Sequence, residues 1–148
     1  MLAKSLVIFI SVGVLAGFSF GFYLLDTKNT NQLVFVEGSS LSLVTEKSDF
    51  KKGEEIKITI INSGTNNLTF SDSSYGLKIS GLFGILMYSP PSSSITTTLN
   101  PREETTFVWN QIKYDNVPVL EGLYKISSTG FDSTGNKVEK FITIHIWK

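Results

Sequence analysis

The chain has 148 residues, enough for one domain, and its 13 basic and 13 acidic residues balance, which gives no indication of a nucleic-acid-binding face. The absence of cysteine excludes a disulfide framework, a thiolate metal site, a cysteine nucleophile and a lipoprotein anchor. The single histidine, His145, excludes a histidine-rich zinc site.

The first 25 residues are predicted to form a membrane segment. From Ser5 to Leu25 no residue is charged, and as a helix this stretch would span about 31 Å, close to the thickness of the hydrocarbon core. Lys4 and the amino terminus precede it, so the positive-inside rule predicts a cytoplasmic N-terminus and an extracytoplasmic C-terminal part. The alternative is a cleaved signal peptide, for which Ser19-Phe20-Gly21 offers small residues at the two required places. Both interpretations put the rest of the chain on the same side of the membrane.

Three glycines of this segment, Gly13, Gly17 and Gly21, recur every four residues and would line one face of the helix. Small residues at this spacing let a second membrane helix approach closely, which predicts helix-mediated association if the anchor is retained. Alternatively, the glycines reflect only the high glycine content of membrane helices.

Residues 26–40 are polar apart from one apolar patch, Leu33–Val36, and are predicted to be a short linker or one that leads into a first strand. Residues 41–148 are predicted to form a β-domain. After residue 40, short runs of β-branched and aromatic residues alternate with polar ones and are separated by Gly, Asn, Ser and Pro. About seven to nine such strands, without a helical period, predict an immunoglobulin-like antiparallel β-sandwich. The clearest strand is Glu55–Asn62, the last strand is the longest, and a hairpin loop at Asp132–Asn136 connects the last two.

Two loops are candidates for binding a protein partner. In the first, two glycines bracket Leu82 and Phe83, although turns normally carry polar residues. If exposed, this pair would form an apolar tip suited to a protein or to a bilayer surface; the alternative is that the tip folds back under a loop. The second loop, Tyr88–Ser94, contains Pro90 and Pro91, which would let it present a rigid, extended segment to a partner. The alternative is that it is an ordinary connecting loop.

Several polar and aromatic residues have a structural interpretation beside a functional one. His145 is interpreted as a surface histidine, because one imidazole has no ligand partners in the sequence. Trp109 shares a strand face with Phe107, which favours a place in the core over a role in binding. Asp132 and Asn136 have oxygens that suit Ca²⁺, but so few carboxylates are more typical of a turn.

The sequence predicts no catalytic residue, no metal and no cofactor, and therefore no enzyme. Nucleophilic catalysis needs a base beside an activated nucleophile, and no glycine-rich phosphate loop opens a helix. The carboxylate pairs Glu54-Glu55 and Glu103-Glu104 would point to opposite faces of their strands. One modification motif is present: Asn67-Leu68-Thr69 is an N-glycosylation sequon, which has meaning only if the domain is exported.

Short motifs recur over about 90 residues of the predicted β-domain. They are Phe50-x-x-Gly53-Glu54, Asn62-x-Gly64, Leu68-x-Phe70, Gly84-x-x-Met87-Tyr88, Leu99-Asn-Pro101-Arg-Glu103, Phe107-x-Trp109-Asn-Gln111 and Val119-x-x-Gly122-x-Tyr124-x-Ile126. Together they resemble the bacterial intracellular proteinase inhibitor family, the BsuPI-type domain. The family has an L-x-P-G-E turn, so Arg102 stands where the turn glycine is expected. The resemblance implies an immunoglobulin-like fold and protease inhibition.

The sequence therefore predicts a single-pass membrane protein whose extracytoplasmic domain is a non-catalytic binding or structural module for an unknown protein partner. A protease inhibitor that inserts the Tyr88–Ser94 loop is the first alternative, and an accessory subunit of a membrane protein complex is the second.

Overall fold

The alternating apolar residues build two β-sheets. The computed structural model describes residues 33–148, in which there are ten strands and no helix, so none of these residues belongs to a helix able to cross a membrane. The strands are β1 (Leu41–Thr45), β2 (Asp49–Lys51), β3 (Ile56–Asn62), β4 (Leu68–Phe70), β5 (Lys78–Gly81), β6 (Leu86–Tyr88), β7 (Thr97–Leu99), β8 (Glu104–Trp109), β9 (Gly122–Phe131) and β10 (Lys137–Trp147). The all-β prediction is confirmed. The strand count exceeds the expected seven to nine because four strands have only three residues, too few for a visible alternation.

The smaller sheet has the order β1-β3-β8, with β3 antiparallel to both neighbours. The predicted alternation in β3 is confirmed, since Ile56, Ile58 and Ile60 are all fully buried. In β8, Trp109 lies opposite Ile56 and is buried, which confirms its predicted place in the core.

The larger sheet has the order β2-β10-β9-β4-β7, and β5 joins β9 and carries β6. Its centre is the predicted antiparallel pair of β9 and β10, connected by the hairpin loop that precedes Lys137. Ile144 and Ile146 of β10 point into the core, whereas His145 and Trp147 point outwards, as the alternation predicts.

One strand pair differs from the predicted antiparallel arrangement. Strand β2 runs parallel to β10, with Asp49 opposite His145 and Lys51 opposite Trp147. The chain leaves β1 in the smaller sheet, crosses to the larger sheet within three residues, and continues without reversing its direction. A three-residue strand carries too little sequence pattern to reveal this change of sheet.

The sandwich has two ends that matter for function. At the linker end, residues 33–40 contact the domain: the Val36 N–H donates to the Ser63 carbonyl (2.9 Å) and the Thr65 N–H donates to the Gly38 carbonyl (2.8 Å). At the opposite end, here called the far end, lie the turn between β5 and β6, the long connection between β8 and β9, and the last residues of β10. The Lys52 N–H donates to the Trp147 carbonyl there (2.8 Å).

Candidate functional site

The turn between β5 and β6 exposes a group of large apolar side chains. Phe83 is 95% exposed in the described domain, and Leu82, Ile85 and Leu86 beside it are exposed too. We call these four residues the apolar tip. The alternative in which Leu82 and Phe83 fold back under a loop is therefore wrong.

Backbone hydrogen bonds hold the apolar tip in a defined turn. The Gly81 N–H donates to the Ile85 carbonyl (3.0 Å), and the Gly84 N–H donates to the Gly81 carbonyl (2.9 Å). Gly84 has φ +79°, a conformation that glycine adopts without strain. The tip is thus built by a short-range turn and displays its side chains to solvent.

Sequence reasoning found Leu82 and Phe83 but missed Ile85 and Leu86. A signal for them was present, because no residue between Lys78 and Arg102 is charged. Where such a long uncharged stretch reaches the surface of a domain, it indicates an exposed apolar patch of the kind that contacts a protein or a membrane.

The connection between β8 and β9 lies beside the apolar tip and adds exposed apolar residues to the far end. The Tyr114 N–H donates to the carbonyl of Met87, the residue that follows the tip (3.1 Å). Tyr114 and Leu120 are both about three-quarters exposed, at 73% and 74%. The far end therefore concentrates apolar surface from two loops.

Gln111 fixes the start of this connection. It is buried, and its carboxamide accepts a hydrogen bond from the Gly53 N–H (2.8 Å) and donates to the carbonyls of Lys51 (2.8 Å) and Glu54 (2.9 Å). Its backbone has φ 61°, which is unfavourable for a residue with a side chain. The hydrogen bonds offset this strain and tie the connection to the turn between β2 and β3.

The Tyr88–Ser94 loop is held at both ends. The Ser89 hydroxyl donates to the Leu77 carbonyl (2.9 Å), and the Ser93 N–H donates to the Ser73 hydroxyl (2.9 Å). Of the predicted binding residues, Pro91 is exposed, Tyr88 is half-buried and Pro90 is buried. Pro90 thus offers no surface to a partner in this conformation.

A shallow cleft separates this loop from the connection between β8 and β9. It has a volume of about 390 Å³, and its lining includes Tyr88, Pro91, Asn110 and Tyr114. The Tyr88 ring stacks on Trp109, with centroids 6.2 Å apart. One wall of the cleft, at Tyr88, therefore packs against the hydrophobic core, whereas the other, at Tyr114, is exposed to solvent.

Ser48, Asp49 and His145 are close together, but in an order that does not suit nucleophilic catalysis. The Ser48 hydroxyl donates to Asp49 (2.7 Å), and Asp49 also contacts Nδ1 of His145 (3.2 Å). In a catalytic triad the histidine lies between the nucleophile and the carboxylate, whereas here the carboxylate lies in the middle. These contacts hold the pKa of Asp49 below its usual value, first through the Ser48 hydroxyl and then through His145.

The Asp132–Asn136 loop is a hydrogen-bonded turn. The Asp132 carboxylate accepts hydrogen bonds from the Thr134 hydroxyl (2.6 Å) and N–H (2.9 Å) and from the Asn136 N–H (2.9 Å). These bonds, the Thr134 hydroxyl first, lower the pKa of Asp132 to about 2. Within residues 33–148, no group of three or more acidic or histidine side chains could hold a metal ion.

Two predicted sites remain, the glycosylation site and the helix-association glycines, and the structure describes only the first. Asn67 is exposed and immediately precedes β4. Gly13, Gly17 and Gly21 lie outside the described residues. Glycosylation and helix association both stay predictions.

No family model matches the chain, and no curated protein matches it either. Similar solved structures include the sporulation control protein Spo0M from Bacillus subtilis, with a TM-score of 0.42 and 13% identity over 76% of this chain and 51% of that one. PorZ, a surface component of the type-IX secretion system of Porphyromonas gingivalis, has a TM-score of 0.39 and 16% identity over 72% of this chain and 12% of that one. A beta-glucosidase from Listeria innocua has a TM-score of 0.33 and 14% identity over 74% and 16%. This chain spans about half the length of Spo0M and a smaller share of the other two proteins. TM-scores and sequence identities as low as these support no conclusion about function.

Proposed function

We propose that the chain is a non-catalytic, membrane-anchored module whose extracytoplasmic β-sandwich binds a protein partner through the apolar tip. The observation that carries this proposal is the exposure of Phe83, 95%, at the centre of an apolar group on a hydrogen-bonded turn. Aromatic residues of this kind are the usual anchors of protein interfaces.

Covering the apolar tip would remove a substantial apolar surface from water. Fully burying one large apolar side chain contributes about 1.5–3 kcal/mol, so covering the four exposed residues of the tip would contribute about 5 kcal/mol. The neighbouring residues Tyr114 and Leu120 would add about 3 kcal/mol. A micromolar complex needs about 8 kcal/mol after the entropy of association has been subtracted, so the apolar surface would anchor the partner and polar contacts around it would have to complete the interface.

The position of the tip supports the same proposal. Residues 33–40 contact the domain at the linker end, and the tip lies at the far end. The tip is therefore clear of the point at which the preceding chain meets the domain.

We also propose that the sandwich belongs to the immunoglobulin-like class. Tyr124 lies near the start of β9, and its hydroxyl donates to the Leu120 carbonyl (2.6 Å) four residues upstream. This is the arrangement of the tyrosine corner found in such domains. Burial raises the pKa of Tyr124 above its usual value, so the hydroxyl stays protonated and able to donate well into the alkaline range.

The experiment that tests the partner proposal is site-specific photo-crosslinking in native membranes. A crosslinking residue at position 83 should capture a discrete protein, whereas one at position 108, on the smaller sheet, should not. Val108 is a matched control, since it is also apolar and 50% exposed. Equal patterns of products at the two positions, or none at position 83, would contradict the proposal.

A second candidate function is protease inhibition, as the BsuPI-type resemblance implies. It is favoured by the Tyr88–Ser94 loop, because an inhibitory loop must be exposed yet held at its ends, as Ser89 and Ser93 hold this one. Residues 33–148 should then inhibit at least one protease in a panel that covers the main mechanistic classes. Replacing Pro91 with a bulky acidic residue should abolish that inhibition, and a panel without any inhibition would end this candidate.

A further inference from the structure

The outer side of the larger sheet combines lysines with large apolar side chains. In β9 and β10, Leu123 pairs with His145 and Lys125 pairs with Thr143, so these side chains point to the same side of the sheet. Strand β5 adds Lys78, which lies opposite Ser127. We call this surface the basic–aromatic face. Its main residues are Lys51, Lys78, Leu123, Lys125, Phe141 and Trp147.

This face has a charge opposite in sign to that of the rest of the domain. Residues 33–148 carry 11 basic and 12 acidic side chains. The outer side of the larger sheet carries four lysines, the fourth being Lys137, and only two acidic residues. Both acids are already paired: Glu139 with Lys137 (2.6 Å) and Asp49 with His145 (3.2 Å). The other three lysines make no salt bridge within the described residues.

The apolar residues of this face lie among the lysines. The Lys125 ammonium is 4.3 Å from the centre of the Phe141 ring, a cation–π contact that holds a positive charge against the exposed aromatic side chain. Phe141 is 57% exposed, and Trp147 and Leu123 are about half exposed. Lysine is depleted in protein interfaces, whereas lysine beside aromatic residues is typical of surfaces that bind anionic lipid.

We infer that the basic–aromatic face lies against an anionic lipid surface, with its lysines at the phosphates and Phe141, Trp147 and Leu123 at the level of the headgroups. This inference rests on the proposed membrane location and not on the partner of the apolar tip. The sheet face and the tip are separate surfaces, so the domain can contact lipid with one and a protein with the other.

The test uses the absence of cysteine from the chain. Two variants of the full chain, Thr143→Cys and Val108→Cys, are each labelled with an environment-sensitive dye. Each is then placed in vesicles of phosphatidylcholine, with or without phosphatidylglycerol. Thr143 lies on the basic–aromatic face, and Val108 lies on the outer side of the smaller sheet; both are exposed. A lipid-bound face predicts that the dye at 143 is quenched by lipid-attached quenchers only with phosphatidylglycerol, and that the dye at 108 stays accessible to aqueous quenchers.

The lysines provide a second readout. Each lysine near an anionic surface contributes about fivefold to binding, so Lys78→Gln and Lys125→Gln together should lower the ratio of bound to free domain about 25-fold. The control is Lys57→Gln, an exposed lysine of the smaller sheet, which should have no such effect.

Three results would overturn the inference: equal accessibility at 143 and 108, shielding that does not depend on phosphatidylglycerol, or shielding at 143 in native membranes but not in lipid vesicles. The last result would assign the face to a protein. Failure of the partner proposal is seen separately, by crosslinking at position 83 in native membranes.

Discussion

The buried carboxamide of Gln111 offers the sharpest test of how the far end is held together. Gln111→Ala removes one hydrogen bond to the Gly53 N–H and two to the carbonyls of Lys51 and Glu54. A net contribution of about 1 kcal/mol for each bond predicts a loss of about 3 kcal/mol. Asn110→Ala is the control, since Asn110 is exposed and its removal should change stability by less than about 0.5 kcal/mol.

Gln111→Gly separates the hydrogen bonds from the backbone strain. Glycine loses the same three bonds, but it accepts the backbone φ of 61° without the cost that other residues pay. We therefore expect the glycine variant to be about 1 kcal/mol more stable than the alanine variant, although glycine is normally the less stable of the two.

The measurement is the urea-induced unfolding of residues 33–148, monitored by tryptophan fluorescence. For a domain of this size, 3 kcal/mol lowers the midpoint by about 2 M. A loss below about 1 kcal/mol for Gln111→Ala would refute the reasoning, because the carboxamide would then not be holding the connection. An alanine variant as stable as the glycine variant would show that the φ angle carries no strain.

Three further predictions concern single positions in the same domain. Arg102 has φ 67° at the place of a turn glycine, so Arg102→Gly should raise the free energy of unfolding by about 1 kcal/mol; an unchanged urea midpoint would count against this. Gly130→Ala places a Cβ 2.8 Å from the buried Phe70 ring and should cost about 1–3 kcal/mol by the same assay, whereas a neutral effect would mean that the ring moves freely. The pKa of Asp132 is lowered to about 2 in the folded state from 3.8, so its stabilising effect is present above about pH 4 and is lost as the pH falls towards 2. Asp132→Ala should therefore flatten the fall in stability over that range, and parallel pH profiles of the two proteins would contradict this.

The long strands could be predicted because their pattern is local. In β3 the alternation runs from Ile56 to Ile60, and in β10 it is regular from Phe141 to Trp147, with Ile144 and Ile146 buried on the predicted side. The hairpin loop between β9 and β10 was equally predictable, since Asp132 and Asn136 are turn residues whose side chains bond the turn itself.

Features that depend on distant partners could not be predicted in this way. The burial of Gln111 depends on hydrogen-bond partners that lie 57 to 60 residues away in the chain. The residues next to it in the sequence therefore give no indication that its side chain is buried. Pro90 belongs to a loop that looks exposed, yet the fold buries it. The basic–aromatic face likewise combines residues of four strands, and only the pairing of β2, β10, β9 and β5 brings their lysines to one side.

The exposed apolar residues are not explained by folding. The core consists of buried residues from both sheets, including Ile56, Ile126 and Trp109, and none of the large residues at the tip belongs to it. Removing Phe83 should therefore leave stability within about 0.5 kcal/mol of the parent, while its presence exposes the domain to non-specific association. An apolar group that does not stabilise the domain and increases its tendency to associate needs another reason to be there. A protein partner at the far end supplies that reason for the apolar tip, and an anionic lipid surface supplies it for Phe141 and Trp147 on the basic–aromatic face. The crosslinking experiment at position 83 tests the first, and the dye experiment at position 143 tests the second.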